Sequence, residues 1–128
     1  MTPGERAAAR LLERRDEIAR AGTEALYAEK PWLLAKYGER GRQKCLQDMR
    51  YNVEHLAPAV ELDAPAMFEA YARWVDDVLR ARNVPTGELV RALELMERAA
   101  AEGMDDAERG VLARCVAAGV SALGPEAR

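Results

Sequence analysis

Apolar residues recur along this chain at intervals of three and four. Ala8, Leu11, Leu12, Ile18, Ala21, Ala25 and Leu26 form one stripe near the helical period, and Leu46, Met49, Val53 and Leu56 form a second. A third follows with Met67, Phe68, Tyr71, Trp74, Val75, Val78 and Leu79, and a fourth with Leu89, Val90, Leu93, Leu95 and Met96. No stretch alternates with the period of two that a half-buried strand needs. Thr2-Pro3-Gly4-Glu5 reads as a capping box that opens a long helix, which gives out at Glu29-Lys30 before Pro31. Pro31 to Tyr37 reads as a short helical turn stopped by Gly38, with Trp32 and Tyr37 covering the bundle. The next helix runs from about Glu39 to Leu56, where Pro58 ends or kinks it before a short element at Ala59 to Leu62. Asp63-Ala64-Pro65 opens a helix through about Arg82. Asn83-Val84-Pro85 breaks it, and Thr86 is placed to cap a helix over about Gly87 to Glu102. Gly103 closes that helix, Asp105 to Glu108 caps a last one ending near Leu123, and residues 124 to 128 read as a frayed tail.

Five or six helices of unequal length, separated by abrupt breaks, suit steep ridge-into-groove crossings better than a regular up-down bundle. The expected class is therefore all-α with a globin-like arrangement. At 128 residues, 49% apolar and 32% charged, the chain supports one domain over residues 1–128. Ala, Leu, Arg and Glu dominate and aromatics are 5%, which adds helix propensity and removes any case for a sheet. The net charge of −3, with pI near 5.3, offers no field for a phosphate backbone, so no nucleic-acid partner is expected. No run approaches a spanning helix and the first residues lack the pattern of a secretory signal, so the expectation is a cytoplasmic protein off the membrane. A single histidine and two cysteines far apart provide too few soft ligands for a tetrahedral zinc site and make a disulfide improbable.

Candidate chemistry concentrates in Arg40-Gly41-Arg42-Gln43-Lys44-Cys45-Leu46-Gln47-Asp48-Met49-Arg50-Tyr51. On a helix the thiol of Cys45 and the carboxylate of Asp48 lie one turn apart on neighbouring positions of one face. Arg40, Arg42 and Lys44 supply cations, and Arg42 and Lys44 would stabilise a thiolate if they lie close. A linear tetrapyrrole needs these groups: sulfur for a thioether, a carboxylate for pyrrole N–H groups, cations for propionates. Each residue also has a plainer reading. Asp48 can pair with Lys44 four positions earlier, the basic residues can form a solvated face with Arg50, and a lone cysteine beside an apolar stripe is commonly inert. Cys115 reads as core. His55 could suggest heme ligation, but a lone histidine is more often a surface residue. Cys45 and His55 are about 15 Å apart by helical rise, too far for a nucleophile and base, so no catalytic residues are expected. Phe68, Tyr71 and Trp74 read as core.

Cys45-Leu46-Gln47-Asp48-Met49-Arg50-Tyr51 resembles the chromophore-helix motif Cys-x-Arg-Asp-x-x-Tyr of phycocyanin and allophycocyanin subunits. Asp63 and Pro65 are similar to that family's Gly-Asp-Pro turn. Asn83-Val84-Pro85-Thr86-Gly87 with Ala92-Leu93-Glu94-Leu95-Met96 is similar to its Gly-Val-Pro and Ala-Ile-Gln-Ala-Met stretch, with a one-residue gap. The likeness spans about residues 5 to 123 and rests on spacing across several elements. It implies a phycobilisome-type globin-like fold in which Cys45 matches the thioether position and Asp48 the carboxylate facing the central pyrroles. Lys44 and Arg40 match often-basic positions near the propionates, and Tyr51 matches an aromatic beside the rings. Gln47 departs from the pattern, which has arginine there, so one charge-assisted contact is lost and covalent and non-covalent binding both stay open. The family's N-terminal antenna-assembly helices have no counterpart in this sequence. The shorter bilin biosynthesis-associated globins are the better match, implying a non-enzymatic bilin carrier for biliverdin or a phycobilin, working beside a heme oxygenase or bilin reductase. A homodimer is expected. The alternative is a non-heme globin-like sensor or interaction module with no pigment, presenting an exposed apolar strip around Trp32, Tyr37 or Trp74.

Overall fold

The computed structural model describes residues 1–124, and the part of the expected tail at 125–128 lies outside the described residues. Six helices follow one another: α1 (Pro3–Glu13), α2 (Arg15–Glu29), α3 (Trp32–Glu61), α4 (Pro65–Ala81), α5 (Thr86–Ala101) and α6 (Asp106–Ala122). Among the described residues there is no strand. No helix there is long and apolar enough to cross a membrane. The capping boxes form as their residue types require. The Thr2 hydroxyl accepts from the Glu5 N–H at 3.0 Å while Glu5 accepts from the Thr2 N–H at 2.8 Å, and Asp105 and Glu108 make the same exchange before α6.

Four local readings need correction. The expected single helix from Pro3 to Glu29 divides at Arg14, which leaves helical geometry at φ −99°, ψ 12°. No proline or glycine marks the spot. The reason is tertiary: the Arg14 guanidinium reaches the Glu102 carbonyl at 2.9 Å and the Ala100 carbonyl at 3.5 Å, satisfying acceptors left open at the end of α5. The bend takes Leu12 and Ala21 out of the stripe, and both are exposed. Secondly, Pro58 does not stop α3, which runs on to Glu61 and buries Ala59 and Val60. Asp63 ends it instead, in the left-handed region at φ 48°, with the Ala64 N–H returning to the Ala59 carbonyl at 2.8 Å. Thirdly, Pro85 rather than Thr86 occupies the cap position of α5, and no side chain caps that end. Lastly, Met67 and Trp74 of the α4 stripe are exposed rather than core, and Trp32, read as covering the bundle, is about half exposed. The expected stop at Gly38 is present inside α3, where φ 72° and ψ −178° interrupt the helix in a conformation suited to glycine.

α1 crosses α3 and α6, α2 lies on α3 and α5, and α4 packs along α6, so the helices enclose one continuous apolar core. Phe68, Met49, Leu56, Leu93, Met96 and Leu112 are fully buried in it. Cys115 is buried there too, as expected for packing. The α2–α3 joint and the α4–α5 joint open beside the middle of α3, where the candidate residues lie.

Candidate functional site

The segment of α3 after Gly38 forms one wall of an apolar cleft of about 230 Å³. Leu26 and Tyr27 of α2, Leu33 and Tyr37 of the first turns of α3, Val75 and Leu79 of α4, and Leu89 and Ala92 of α5 complete it. Lys44, Cys45 and Asp48 project from α3 into this space. A second cleft of about 230 Å³ lies on the other side, lined by Tyr51, His55, Tyr71, Trp74 and Val78. The two share Lys44, Asp48, Val75, Leu79 and Arg82. Asp48 thus sits on a ridge between them.

Asp48 is 22% exposed, and its two oxygens each face a cation: Lys44 Nζ at 3.7 Å and Arg82 Nη1 at 3.5 Å. Burial raises its pKa above the ordinary aspartate value, against the lowering effect of those two charges. Desolvation therefore outweighs the ion pairs, leaving a carboxylate whose charge is incompletely compensated. The pairing with Lys44 that the plainer reading anticipated does form, yet it does not turn the carboxylate out to bulk water. Gln47 joins Lys44, through a 3.3 Å contact, to the Tyr51 hydroxyl, also 3.3 Å away.

The remaining candidates divide. Tyr51 edges the second cleft, and Arg40 lies with Lys44 and Gln47 in a shallow surface depression. Arg42 lines none of these spaces. Its guanidinium is held by Glu39 at 2.7 Å, so it does not serve the Cys45 thiol. Lys44 is engaged with Asp48. The expectation of an activated thiolate is thereby reversed: burial pushes the Cys45 thiol up to about 11, the Thr23 hydroxyl offsets part of that, and Asp48 and Glu88 add to it. Iodoacetamide should alkylate Cys45 in the folded protein slowly at pH 8, with the rate still climbing through pH 10. Intact mass across pH checks this, and a rate already level by pH 9 would contradict it. Cys115, with no exposed surface, should label only on unfolding.

Several residues that shape the site gave no signal in the sequence. Arg82, the second cation on Asp48, is 34 positions away and reads locally as the end of a helix. Glu88 reads as an ordinary first-turn acid, but it lines the first cleft and binds Lys30 of the α2–α3 joint at 2.9 Å. Asn52 lies under the first cleft and receives a 2.6 Å hydrogen bond from the Tyr71 hydroxyl, which links it to the second. His55 stacks on Tyr71 with ring centroids 4.4 Å apart, and its Nδ1 lies 2.9 Å from the Tyr51 carbonyl, so one ring nitrogen is already engaged locally. Among the described residues no cluster of His, Cys, Asp and Glu could hold a metal ion.

No curated protein sequence matches the chain. Its residues 5–123 do match a family, the one described as Phycobilisome protein, and that span takes in all six helices except the first two residues of α1. The chain belongs to the Phycobilisome protein family and has its all-α, globin-like fold.

Proposed function

We propose that this protein binds a linear tetrapyrrole non-covalently along the two clefts beside α3 and acts as a carrier rather than an enzyme. Membership of a family whose members typically carry bilins supports the ligand class. The observation that carries the reading is Asp48, a mostly buried carboxylate on the ridge between two apolar clefts, flanked by one cation on each oxygen. Four linked rings are larger than either cleft alone, and the shared residues give an extended pigment a route from one to the other across that carboxylate. Asp48 would accept from the inner pyrrole N–H groups. Lys44 and Arg82, both half-exposed, would turn to the propionates, and Tyr51 would lie beside a ring. When bound, the pigment supplies visible absorption. A protonated thiol at Cys45 disfavours spontaneous thioether formation, which suits a protein that hands its cargo on to or receives it from a heme oxygenase or bilin reductase. Titration with biliverdin should give a saturable, sharpened and red-shifted band. A spectrum identical to that of the pigment in buffer would end this reading.

A pigment-free interaction module, as a homodimer, is the second reading. It draws support from Trp32 and Leu34, about half exposed on the outer face of the first turns of α3. Trp32→Ala that shifts sedimentation while biliverdin never binds would favour it.

A further inference from the structure

Part of the wall of the first cleft is a short piece of chain, residues 31–37, set off at both ends by breaks in the helix. Lys30 before it leaves helical geometry at φ −127°, ψ 71°, and Gly38 after it does so at φ 72°, ψ −178°. A Cβ at Gly38 would meet nothing within 4 Å, so this joint uses the backbone freedom of glycine and not its small size. Among the described residues, no side chain of 31–37 hydrogen-bonds or ion-pairs with another helix. The polar contacts of the piece are its own. The Lys36 ammonium lies 5.7 Å from the Trp32 ring centre and 5.2 Å from that of Tyr37, and the Leu33 N–H returns to the Lys30 carbonyl at 3.0 Å. Leu33 and Tyr37 seat the piece in the cleft, and one ion pair at its base, from Lys30 Nζ to Glu88 Oε1 at 2.9 Å, fastens it to α5. The Tyr37 hydroxyl is sealed there without a hydrogen bond, so the seated state carries a polar group that water would satisfy once the ring swings clear. That penalty offsets part of what the packing gains.

We propose, building on the pigment reading above, that residues 31–37 are a lid over the first cleft, hinged at Gly38 and latched by Lys30 and Glu88, which opens to admit the pigment and closes again over it. The cleft holds about 230 Å³, less than four linked rings occupy, so entry requires one wall to yield. The walls from α2, α4 and α5 belong to regular helices packed into the core, whereas 31–37 lies between two non-helical joints and is tied down by a single ion pair. Lids of this kind come from the least stable parts of a fold, because they must open without unfolding the remainder.

The protein carries its own probe of the lid, because Cys45 lines the same cleft while Cys115 has no exposed surface and reports only unfolding. Iodoacetamide labelling of both thiols is followed by mass at one fixed pH in the pigment-free wild type, Gly38→Ala, Lys30→Ala and Tyr37→Phe. Gly38→Ala strains the closed hinge without a clash, and Lys30→Ala removes the latch, so each should label Cys45 about five-fold or more faster with Cys115 still protected. Electrostatics cannot mimic the second result: Glu88 disfavours the Cys45 thiolate, and taking Lys30 away leaves that charge unopposed. Tyr37→Phe should act in the opposite sense, slowing Cys45 about five-fold, because the closed lid then hides no unmet hydroxyl. A Cys45 rate within two-fold of wild type in Gly38→Ala overturns the lid, as does Cys115 labelling in step with Cys45 or a Tyr37→Phe rate equal to or above wild type. Gly38→Ala and Tyr37→Phe decide the matter even if Lys30→Ala folds poorly. Stopped-flow quenching of tryptophan fluorescence by biliverdin then separates the two readings. Faster association in Gly38→Ala, in proportion to its Cys45 rate, supports both. Labelling rates that shift as expected in a protein that binds no biliverdin leave the lid standing and overturn the pigment, and biliverdin binding with unshifted labelling does the reverse.

Discussion

Asp48→Asn is expected to abolish the red-shifted band of bound biliverdin and to weaken binding by about 2–3 kcal/mol, roughly 30- to 150-fold in Kd, while leaving the free protein as stable as the wild type or more so. The asymmetry follows from the direction of the Asp48 pKa. Burial raises the folded value above the unfolded one despite Lys44 and Arg82. As pH rises from the unfolded pKa through the folded one, the unfolded chain releases its proton first, so this group subtracts from stability across that window and remains a net cost at neutral pH. Removing the charge removes the cost, and the two cations left behind are nearly half exposed and can be solvated. A carboxylate kept only for structure would behave in the opposite way, lowering the melting temperature when neutralised. Lys44→Gln and Arg82→Gln serve as contrasts: each should weaken binding by removing a propionate partner, yet the band should stay red-shifted because the pyrrole acceptor is intact. Thermal melts by circular dichroism and absorption titrations separate these outcomes. Loss of stability in Asp48→Asn with pigment binding unchanged would contradict the argument.

What the chain reveals before folding, and what it withholds, follows from the range of the interactions involved. Capping boxes at Thr2 and Asp105, the Gly38 interruption and the α5 stripe are set by neighbours within four residues, and each forms where the residue types place it. The division at Arg14 is invisible locally because its cause is a set of carbonyls more than 80 residues away at the end of α5. The persistence of α3 through Pro58 has a similar origin, since Val60 beyond it is drawn into the core beside Gly4 of α1. At the site, the three-residue spacing of Cys45 and Asp48 predicts their common face and the structure brings both to one cleft. The electrostatics of Cys45 do not follow from spacing. Arg42 precedes it by one turn but faces Glu39, and the charges that act on the thiol, Asp48 and Glu88, are negative and push its pKa up. Charge near a thiol is decided by where guanidinium and carboxylate heads end up, and those positions depend on α5 as much as on α3.

Phe68→Ala should be the most disruptive single truncation, costing about 3–5 kcal/mol, because the ring is fully buried where α4 meets α6 and its removal leaves a large void there. Its place is defined by Gly119. A Cβ added there would come within 2.6 Å of Phe68 Cδ2 and 2.8 Å of Cε2, so α6 can approach α4 this closely only with no side chain at that position. Gly119→Ala should therefore destabilise the otherwise unaltered protein by about 1–3 kcal/mol through overpacking, even though alanine is the better helix former. In the Phe68→Ala background the sign should reverse. The methyl group then enters the space the ring vacated, the helix-propensity gain of about 1 kcal/mol is released, and Gly119→Ala becomes stabilising. A double-mutant cycle by urea denaturation would show a coupling of at least about 2 kcal/mol between the two positions, and additive effects would mean that ring and glycine do not constrain each other. The consequence extends to the clefts. Phe68 packs against Tyr71 with centroids 5.6 Å apart, and Tyr71 in turn holds Asn52 and stacks on His55. Loss of the ring should thus weaken biliverdin binding as well as stability, and refilling the void with Gly119→Ala should restore stability without restoring affinity, because an alanine on α6 gives Tyr71 no aromatic surface to rest on.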